Sequence, residues 1–325
     1  MSVLVTGVAG FIGMHTAEAL LERGETVIGL DNLNTYYDPA LKAARLARLE
    51  GRKGFSFIQA DVADRSAMAA LVADHPGITR VVHLAAQAGV RYSLEDPYSY
   101  VQSNVMGQVV LVEALRHLPR LEHLVYASSS SVYGTNKKVP FSVDDRADSP
   151  LSVYAATKKA DELLLHAYCH LYRIAATGLR FFTVYGPWGR PDMAPYLFTS
   201  AVFEGRPLKL FNHGKMRRDF TYIDDIVAGV LAALDHPPAD DGAHPPHRVY
   251  NLGNSRSEQL RDFLRAIEAA VGRPAIVELH DMQPGDVVET FADISATTRD
   301  LGYAPKVAIS EGIPRFVDWY RDYAS

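Results

Sequence analysis

The sequence predicts an α/β protein: a doubly wound parallel sheet with helices on both faces, accompanied by a smaller mixed α/β lobe. Three observations carry this. In the first half, short β-rich apolar runs alternate with longer segments whose apolar residues recur at i, i+3 and i+4, the order that builds parallel strands joined by crossover helices. A glycine-rich turn, Gly7-Val8-Ala9-Gly10-Phe11-Ile12-Gly13, stands between the first such run and the first helical segment. After about residue 177 the rhythm becomes irregular. The expected division is a Rossmann-type dinucleotide-binding domain over residues 1–177, to which later segments return, and a ligand-binding lobe mainly over 178–325.

The strands are expected at residues 3–5, 26–30, 55–58, 80–84, 121–127 and 175–179, each a run of Val, Ile, Leu, Phe or Tyr bounded by turn residues. Helices are expected at 13–23, 97–117 and 154–172, where apolar residues keep the helical period. An Ala/Leu/Arg-rich insertion, residues 34–53, follows the second strand and is expected to be helical. In the second half, helices are expected at 195–204, 223–235 and 257–271, among short strands and Pro/Gly loops. The proline-rich stretch 236–247 is expected to be a mobile surface loop.

Composition narrows the function classes. A hydrophobic content of 48% with 22% charged residues fits a folded globular enzyme. The net charge of −5 gives no electrostatic case for nucleic acid or an anionic membrane, so an anionic ligand must be held by local groups. No stretch approaches the roughly 18 uninterrupted apolar residues of a membrane span. The single cysteine, Cys169, excludes an intramolecular disulfide and lies in an apolar-periodic stretch, where core packing outweighs a nucleophilic role. The chain opens directly on a strand, without a basic flank or a cleavable apolar run, and a cytoplasmic location is expected. The 12 histidines show no metal-ligand spacing.

Several constellations carry chemistry. Gly7, Gly10 and Gly13, with Phe11 and Ile12 opening the helix, would let backbone N–H groups approach a pyrophosphate at the helix N-terminus. Asp31, 18 residues beyond Gly13, ends the second strand. A carboxylate there accepts ribose hydroxyls and repels a 2′-phosphate, favouring NAD over NADP. Asp61-Val62 ends the third strand and is either an adenine contact or only a turn. Tyr154 and Lys158 stand four apart on one helical face, where the lysine charge lowers the phenol pKa. A hydroxyl cluster, Ser128 to Ser131, follows the fifth strand at the carboxyl edge, where parallel sheets bind ligands. Together these point to a Ser/Tyr/Lys hydride-transfer site. His83 is expected to be a satisfied sheet-edge histidine. Arg91 and Arg190 lie in loops near the expected cleft and are read as ligand contacts or as solvated surface.

The glycine loop, the His83–Ala86 run, Ser128–Gly134 and the Tyr154/Lys158 helix resemble the extended short-chain dehydrogenase/reductase (NAD-dependent epimerase/dehydratase) family. So do Arg180–Pro187, Arg217–Phe220 and Tyr250–Gly253, so the resemblance covers nearly the whole chain. Within the family the sequence is most similar to UDP-glucuronate 4-epimerases, on the segments around Gly89–Pro97 and Arg180–Met193. The resemblance implies Tyr154 as acid/base, Lys158 as its tuner and ribose anchor, and Ser129, 25 residues before Tyr154, as the hydroxyl that binds the reacting oxygen. It implies that Asn32, Leu84, Ala85, Ala86 and Asn104 line the cofactor. It further implies that Thr183, Lys209, Phe211, Arg218, Gln283 and Asp286 hold the UDP part, making residues 178–325 mainly a nucleotide-sugar-binding lobe.

Three departures from related enzymes bear on the reaction. Thr183 stands where hexose epimerases carry asparagine, and Gln283 where arginine is common. Ser130 and Ser131 stand where dehydratases and decarboxylases of the family carry acidic residues. Serines can donate hydrogen bonds to a substrate carboxylate, and with Thr183 and a fixed charge from Arg190 they would suit a uronic acid. The expected activity is 4-epimerisation of a UDP-hexuronic acid with NAD regenerated in each turnover. The alternatives are a neutral UDP-hexose 4-epimerase, a UDP-glucuronate decarboxylase and a non-catalytic NAD-sensing regulator. Surplus apolar residues on the helices at 97–117 and 154–172, including Val109, Val112, Leu163 and Leu164, suggest a homodimer.

Overall fold

The computed structural model describes residues 1–282 and 287–324. The chain divides into two compact units: Met1–Asn136 with Asp145–Arg180 and Val227–Tyr250, and Lys137–Asp144 with Phe181–Ile226 and Asn251–Ser325.

The first unit is built on β1 (Ser2–Thr6), β2 (Thr26–Asp31), β3 (Phe55–Gln59), β4 (Arg80–His83), β5 (His123–Ser129) and β6 (Ala176–Phe181). With the strand His247–Leu252 they form one seven-stranded sheet, in the order His247–Leu252, β6, β5, β4, β1, β2, β3. The pairs β1–β2, β1–β4, β2–β3 and β4–β5 are parallel, with Val5 opposite Gly29 and Val82. Reversal of strand order beside β1 is the switch point of a doubly wound sheet. Val3, Leu4 and Val5 are fully buried, because helices cover both faces; this is why the run is continuously apolar and not alternating.

Helices α1 (Phe11–Glu22), α2 (Pro39–Ala47), α3 (Arg65–Asp74), α4 (Pro97–Tyr100), α5 (Gly107–Leu115) and α6 (Val153–Tyr172) flank these strands in the chain. Local chemistry sets their starts. Asp38 caps α2 ahead of Pro39, Asp64 caps α3, and the Ser152 hydroxyl accepts the Ala155 N–H at 3.1 Å. Residues 97–117 do not form the single helix expected: α4 passes into a π-helical stretch, Val101–Met106, before α5. One main core packs Leu111 and Leu115 of α5 and Leu165 and Cys169 of α6 among Leu4, Ile28, Val81 and Leu124 of the strands. Burial pushes the Cys169 thiol up to about 12, so it is packing and not a nucleophile. The stretch 236–247 is pinned rather than loose: Arg173 bonds Asp240, and the His247 ring meets the Tyr126 hydroxyl at 2.8 Å.

The second unit carries helices Ala194–Glu204, Leu260–Val271 and Ile309–Ala324. The expected helix at 257–271 begins only at Leu260, because Glu258–Gln259 pairs as a strand with Arg217–Arg218. Its aromatic core stacks Phe220 on Phe263 at 3.9 Å. Buried Asp219 ties three crossing segments together, accepting the N–H groups of Asn254, Ser255 and Ala292 and the Thr221 hydroxyl. Among the described residues, no helix is long and apolar enough to cross a membrane, and no group of His, Cys, Asp and Glu could hold a metal ion.

Candidate active site

The turn after β1 requires glycine for steric reasons. Gly7 has φ +71°, and a Cβ there would lie 2.7 Å from the Ala85 nitrogen. At Gly13 a Cβ would lie 2.0 Å from the Gly7 carbonyl oxygen, so α1 packs directly on the turn. The Gly10 N–H bonds that same oxygen at 2.9 Å. Gly10 is the N-cap of α1 and supplies no capping side chain, which leaves the first-turn amides for an anion. Phe11 is buried against the His15 ring, and Ile12 is half-buried.

Asp31, at the end of β2, is buried. It accepts the Ala9 N–H at 3.1 Å and the Leu33 N–H at 2.9 Å, leaving roughly two of its four lone-pair sites for ribose hydroxyls. The Asn32 amide donates to Asp61 at 2.9 Å, and Asp61 also accepts the Ala63 N–H; Val62 is buried in the core. Two residues that sequence reasoning passed over complete this corner. Fully buried Arg45 donates to the Ala9 carbonyl at 3.2 Å and the Tyr37 hydroxyl at 2.6 Å. The Ala9 peptide groups are thus held from both sides, by Asp31 and by Arg45. Lys42 bonds Asn34 at 2.7 Å. Burial pushes its ammonium pKa down, with Asp31 opposing and Arg45 adding to the shift. The only signal for this pair was cations at i, i+3 among Leu41 and Leu46 of an amphipathic insertion.

Beyond β4, the Leu84 and Ala85 N–H groups bond the Thr6 carbonyl and hydroxyl, both at 3.2 Å; Ala86 is half-buried. His83 shares a 2.7 Å hydrogen bond with Thr6. Burial, then the nearby Lys158 charge, pushes its pKa down to about 3, so it stays neutral. Asn104 lies in the π-helical stretch with its side chain engaged by protein: it accepts the Gln87 N–H at 2.8 Å and donates to the Gln87 carbonyl and the Thr157 hydroxyl. It clamps the segment after β4 to α6. Arg91 is exposed, at the start of the turn Tyr92–Leu94.

At the carboxyl end of β5, Ser129 is buried and accepts the Ser131 N–H at 3.2 Å, opening the 3-10 turn Ser130–Tyr133. Ser130 and Ser131 are half-buried. On α6, half-buried Tyr154 packs edge-on against Tyr100 at 6.0 Å, and Tyr100 is fixed by hydrogen bonds to the Ala88 and Gly89 carbonyls. Buried Lys158 donates to Asp161 at 3.1 Å. One turn on, Glu162 accepts Ser128 at 2.7 Å, Arg180 at 2.8 and 2.9 Å, and Lys159 at 2.9 Å. Burial alone would raise the Glu162 pKa, but these cations hold it down at about 2. Neither Asp161 nor the Glu162–Arg180 pair was foreseen.

The remaining expected ligand contacts belong to the second unit. Thr183 starts the strand Thr183–Tyr185, its N–H on the Asp219 carbonyl at 3.1 Å. Lys209 is exposed on Pro207–Leu210, and the Phe211 ring lies 5.8 Å from that of His280. Arg218 donates to the carbonyls of Arg217 and Val288. The Arg190 guanidinium forms a two-pronged pair with Asp192, at 3.0 Å on one arm. Gln283 and Asp286 lie outside the described residues.

A sterically required glycine turn at the start of α1, a carboxylate at the tip of β2, and a Ser/Tyr/Lys set on β5 and α6 fit an NAD-dependent short-chain dehydrogenase/reductase. The comparisons are narrower. The model of the NAD dependent epimerase/dehydratase family matches residues 3–253, and the chain belongs to that family. It is 49% identical over 335 residues to UDP-glucuronate 4-epimerase 4 of Arabidopsis thaliana, covering 100% of this chain and 76% of that one. The UDP-glucuronic acid 4-epimerase of Bacillus cereus, solved with UDP-glucuronic acid and NAD, superposes with a TM-score of 0.91 at 36% identity over 99% and 100% of the two chains. The UDP-glucose 4-epimerase of Thermotoga maritima, solved with UDP-glucose, superposes with 0.89 at 28% identity, covering 100% of each.

Proposed function

We propose that this chain is an NAD-dependent 4-epimerase that interconverts UDP-glucuronate and UDP-galacturonate through a transient 4-keto sugar. The observation that carries the reading is the Ser129, Tyr154 and Lys158 set beside a turn, Ser130–Tyr133, that holds hydroxyls and no carboxylate. The acid that would catalyse elimination of water is missing. Its 49% identity to a plant UDP-glucuronate 4-epimerase favours the uronate over a neutral hexose.

The residues present fit the cofactor: the glycine turn and the first amides of α1 would take the pyrophosphate, Asp31 a ribose, and Lys158 the ribose beside the reacting ring. NAD supplies, when bound, a hydride acceptor that later returns the hydride to the sugar. Tyr154 takes the proton from the sugar 4-hydroxyl, assisted by the Lys158 charge, and gives it back on the opposite face after the keto sugar turns. Ser129 donates a hydrogen bond to the reacting oxygen. The Ser130 and Ser131 hydroxyls hold the substrate carboxylate out of alignment with the carbonyl, which suppresses loss of CO₂ from a β-keto acid. Thr183, Lys209, Phe211 and Arg218, with Gln283 and Asp286, are assigned to the UDP part. With Arg190 neutralised by Asp192, its role is to brace the loop Gly186–Met193.

Two finer assignments follow. Tyr98, Val101 and Met106 of the α4–α5 stretch and Leu163, Leu171 and Tyr172 of α6 are exposed; Leu164 and Val109 are half-buried, and Val112 belongs to the core. A second copy covering these helices would make a four-helix homodimer interface, and light scattering giving a monomer mass at micromolar concentration would refute it. The lone buried thiol suits a reducing compartment such as the cytoplasm. The test of function is a panel of UDP-glucuronate, UDP-glucose and UDP-N-acetylglucosamine resolved by proton NMR. UDP-galacturonate should form fastest, without net NADH; a faster neutral hexose would favour the alternative substrate class.

A further inference from the structure

The mechanism above makes no use of Asp161, yet this carboxylate is 1% exposed and sits one helical turn beyond Lys158. Its Oδ2 accepts the Lys158 ammonium at 3.1 Å, and its Oδ1 has no hydrogen-bond partner. A buried carboxylate with half its acceptors unused is a costly way to fill space, and burial pushes its pKa up to about 6 against the pull of Lys158. Tyr154, Lys158 and Asp161 are spaced i, i+4 and i+7, so they line one side of α6.

We propose that Asp161 is a positioning residue for the catalytic pair: it anchors the Lys158 ammonium and holds a negative charge on the same side of α6 as the Tyr154 phenol. The proposal rests on Tyr154 being the acid/base. The surrounding groups leave this axis intact. On α6, Glu162 is balanced by Arg180 and Lys159. Tyr126 of β5, which also faces Asp161, has its pKa raised well above the ordinary value, chiefly by burial. His83 of β4 is neutral, and Tyr100 of α4 meets Tyr154 edge-on.

The expected effect follows from distance. Seven residues of helix separate Asp161 from Tyr154, about 10 Å. At an effective dielectric of about 20, one charge at that distance moves a pKa by about one unit. Asp161→Asn keeps the shape and one acceptor for Lys158 while deleting the charge; Asp161→Thr is a second neutral variant should the first fold poorly. The readout is the ultraviolet tyrosinate titration of the NAD-loaded enzyme, each form measured against its own Tyr154→Phe partner, alongside the pH profile of turnover.

Removing the charge should lower the Tyr154 midpoint by about one unit and move the acid limb of the profile with it. Below the wild-type midpoint but above about pH 6, where wild-type Asp161 keeps its charge, turnover relative to plateau then rises by up to about tenfold. An unmoved midpoint in a folded variant, with turnover abolished by Tyr154→Phe, overturns the Asp161 proposal alone. Near-normal turnover in Tyr154→Phe overturns the acid/base reading and the proposal with it.

Discussion

Glu162→Gln tests how the catalytic edge of the sheet is held together. Glu162 is 3% exposed and joins Ser128 of β5, Lys159 of its own helix and Arg180 of β6, while the Arg180 guanidinium also covers the Tyr133 ring at 4.8 Å. Its pKa falls from 4.5 to about 2, and about 1.4 kcal/mol per unit makes this about 3 kcal/mol of stability. Because the folded-state pKa is depressed, that stability is present above pH 4.5 and lost as pH falls toward 2. An unfolding entropy of about 2.1 cal/mol/K per residue gives roughly 0.7 kcal/mol/K for this chain, so the variant should melt about 5 °C lower at neutral pH. Melts followed by circular dichroism from pH 7.5 downward should show the gap closing below pH 4.5, as Glu162 of the unfolded wild-type chain takes up a proton that the folded state does not bind until about pH 2. Equal melting points at pH 7.5, or a gap that persists undiminished in acid, would refute the reasoning.

Other consequences are direct. The Asp31 carboxylate should make purified protein retain NAD and little NADP, and NADP as the main bound nucleotide would overturn its assignment. Gly13→Ala places a Cβ 2.0 Å from the Gly7 oxygen; the displaced turn should weaken NAD retention by at least about fivefold, given roughly 1–3 kcal/mol for such overpacking, and unchanged retention would show that the turn does not hold the cofactor. Since Arg190 is paired with Asp192, Arg190→Ala should weaken UDP-glucuronate and UDP-glucose handling alike. A loss confined to the uronate, with new pentose product, would restore a direct role for its charge.

Much of the first unit was legible because its signals are local. Continuous apolar runs such as Val3-Leu4-Val5 mark strands buried on both faces, and a glycine turn between strand and helix has few other uses. What stayed hidden depends on long-range placement. Lys42 and Arg45 look like the solvated face of an amphipathic insertion, and only the folded chain brings Arg45 to the Ala9 carbonyl, 36 residues away in sequence. The π-helical turn at Val101–Met106 shifts the hydrogen-bond period without a distinctive residue pattern, so periodicity read straight through it. Helix Ile309–Ala324 contains Pro314, an apparent terminator. Asp161 and Glu162 adjoin on α6, yet one meets Lys158 and the other Arg180, a distinction that spacing alone could not make.

The central claim is that one enzyme removes the C4 hydride and returns it to the same sugar while Tyr154 moves the proton. The most direct measurement uses UDP-glucuronate deuterated at C4, incubated with the purified protein in ordinary water and followed by NMR. The account predicts UDP-galacturonate that keeps its deuterium at C4, with no pentose and no accumulation of reduced cofactor. Loss of the label to solvent, or its lasting accumulation on the cofactor, would contradict it.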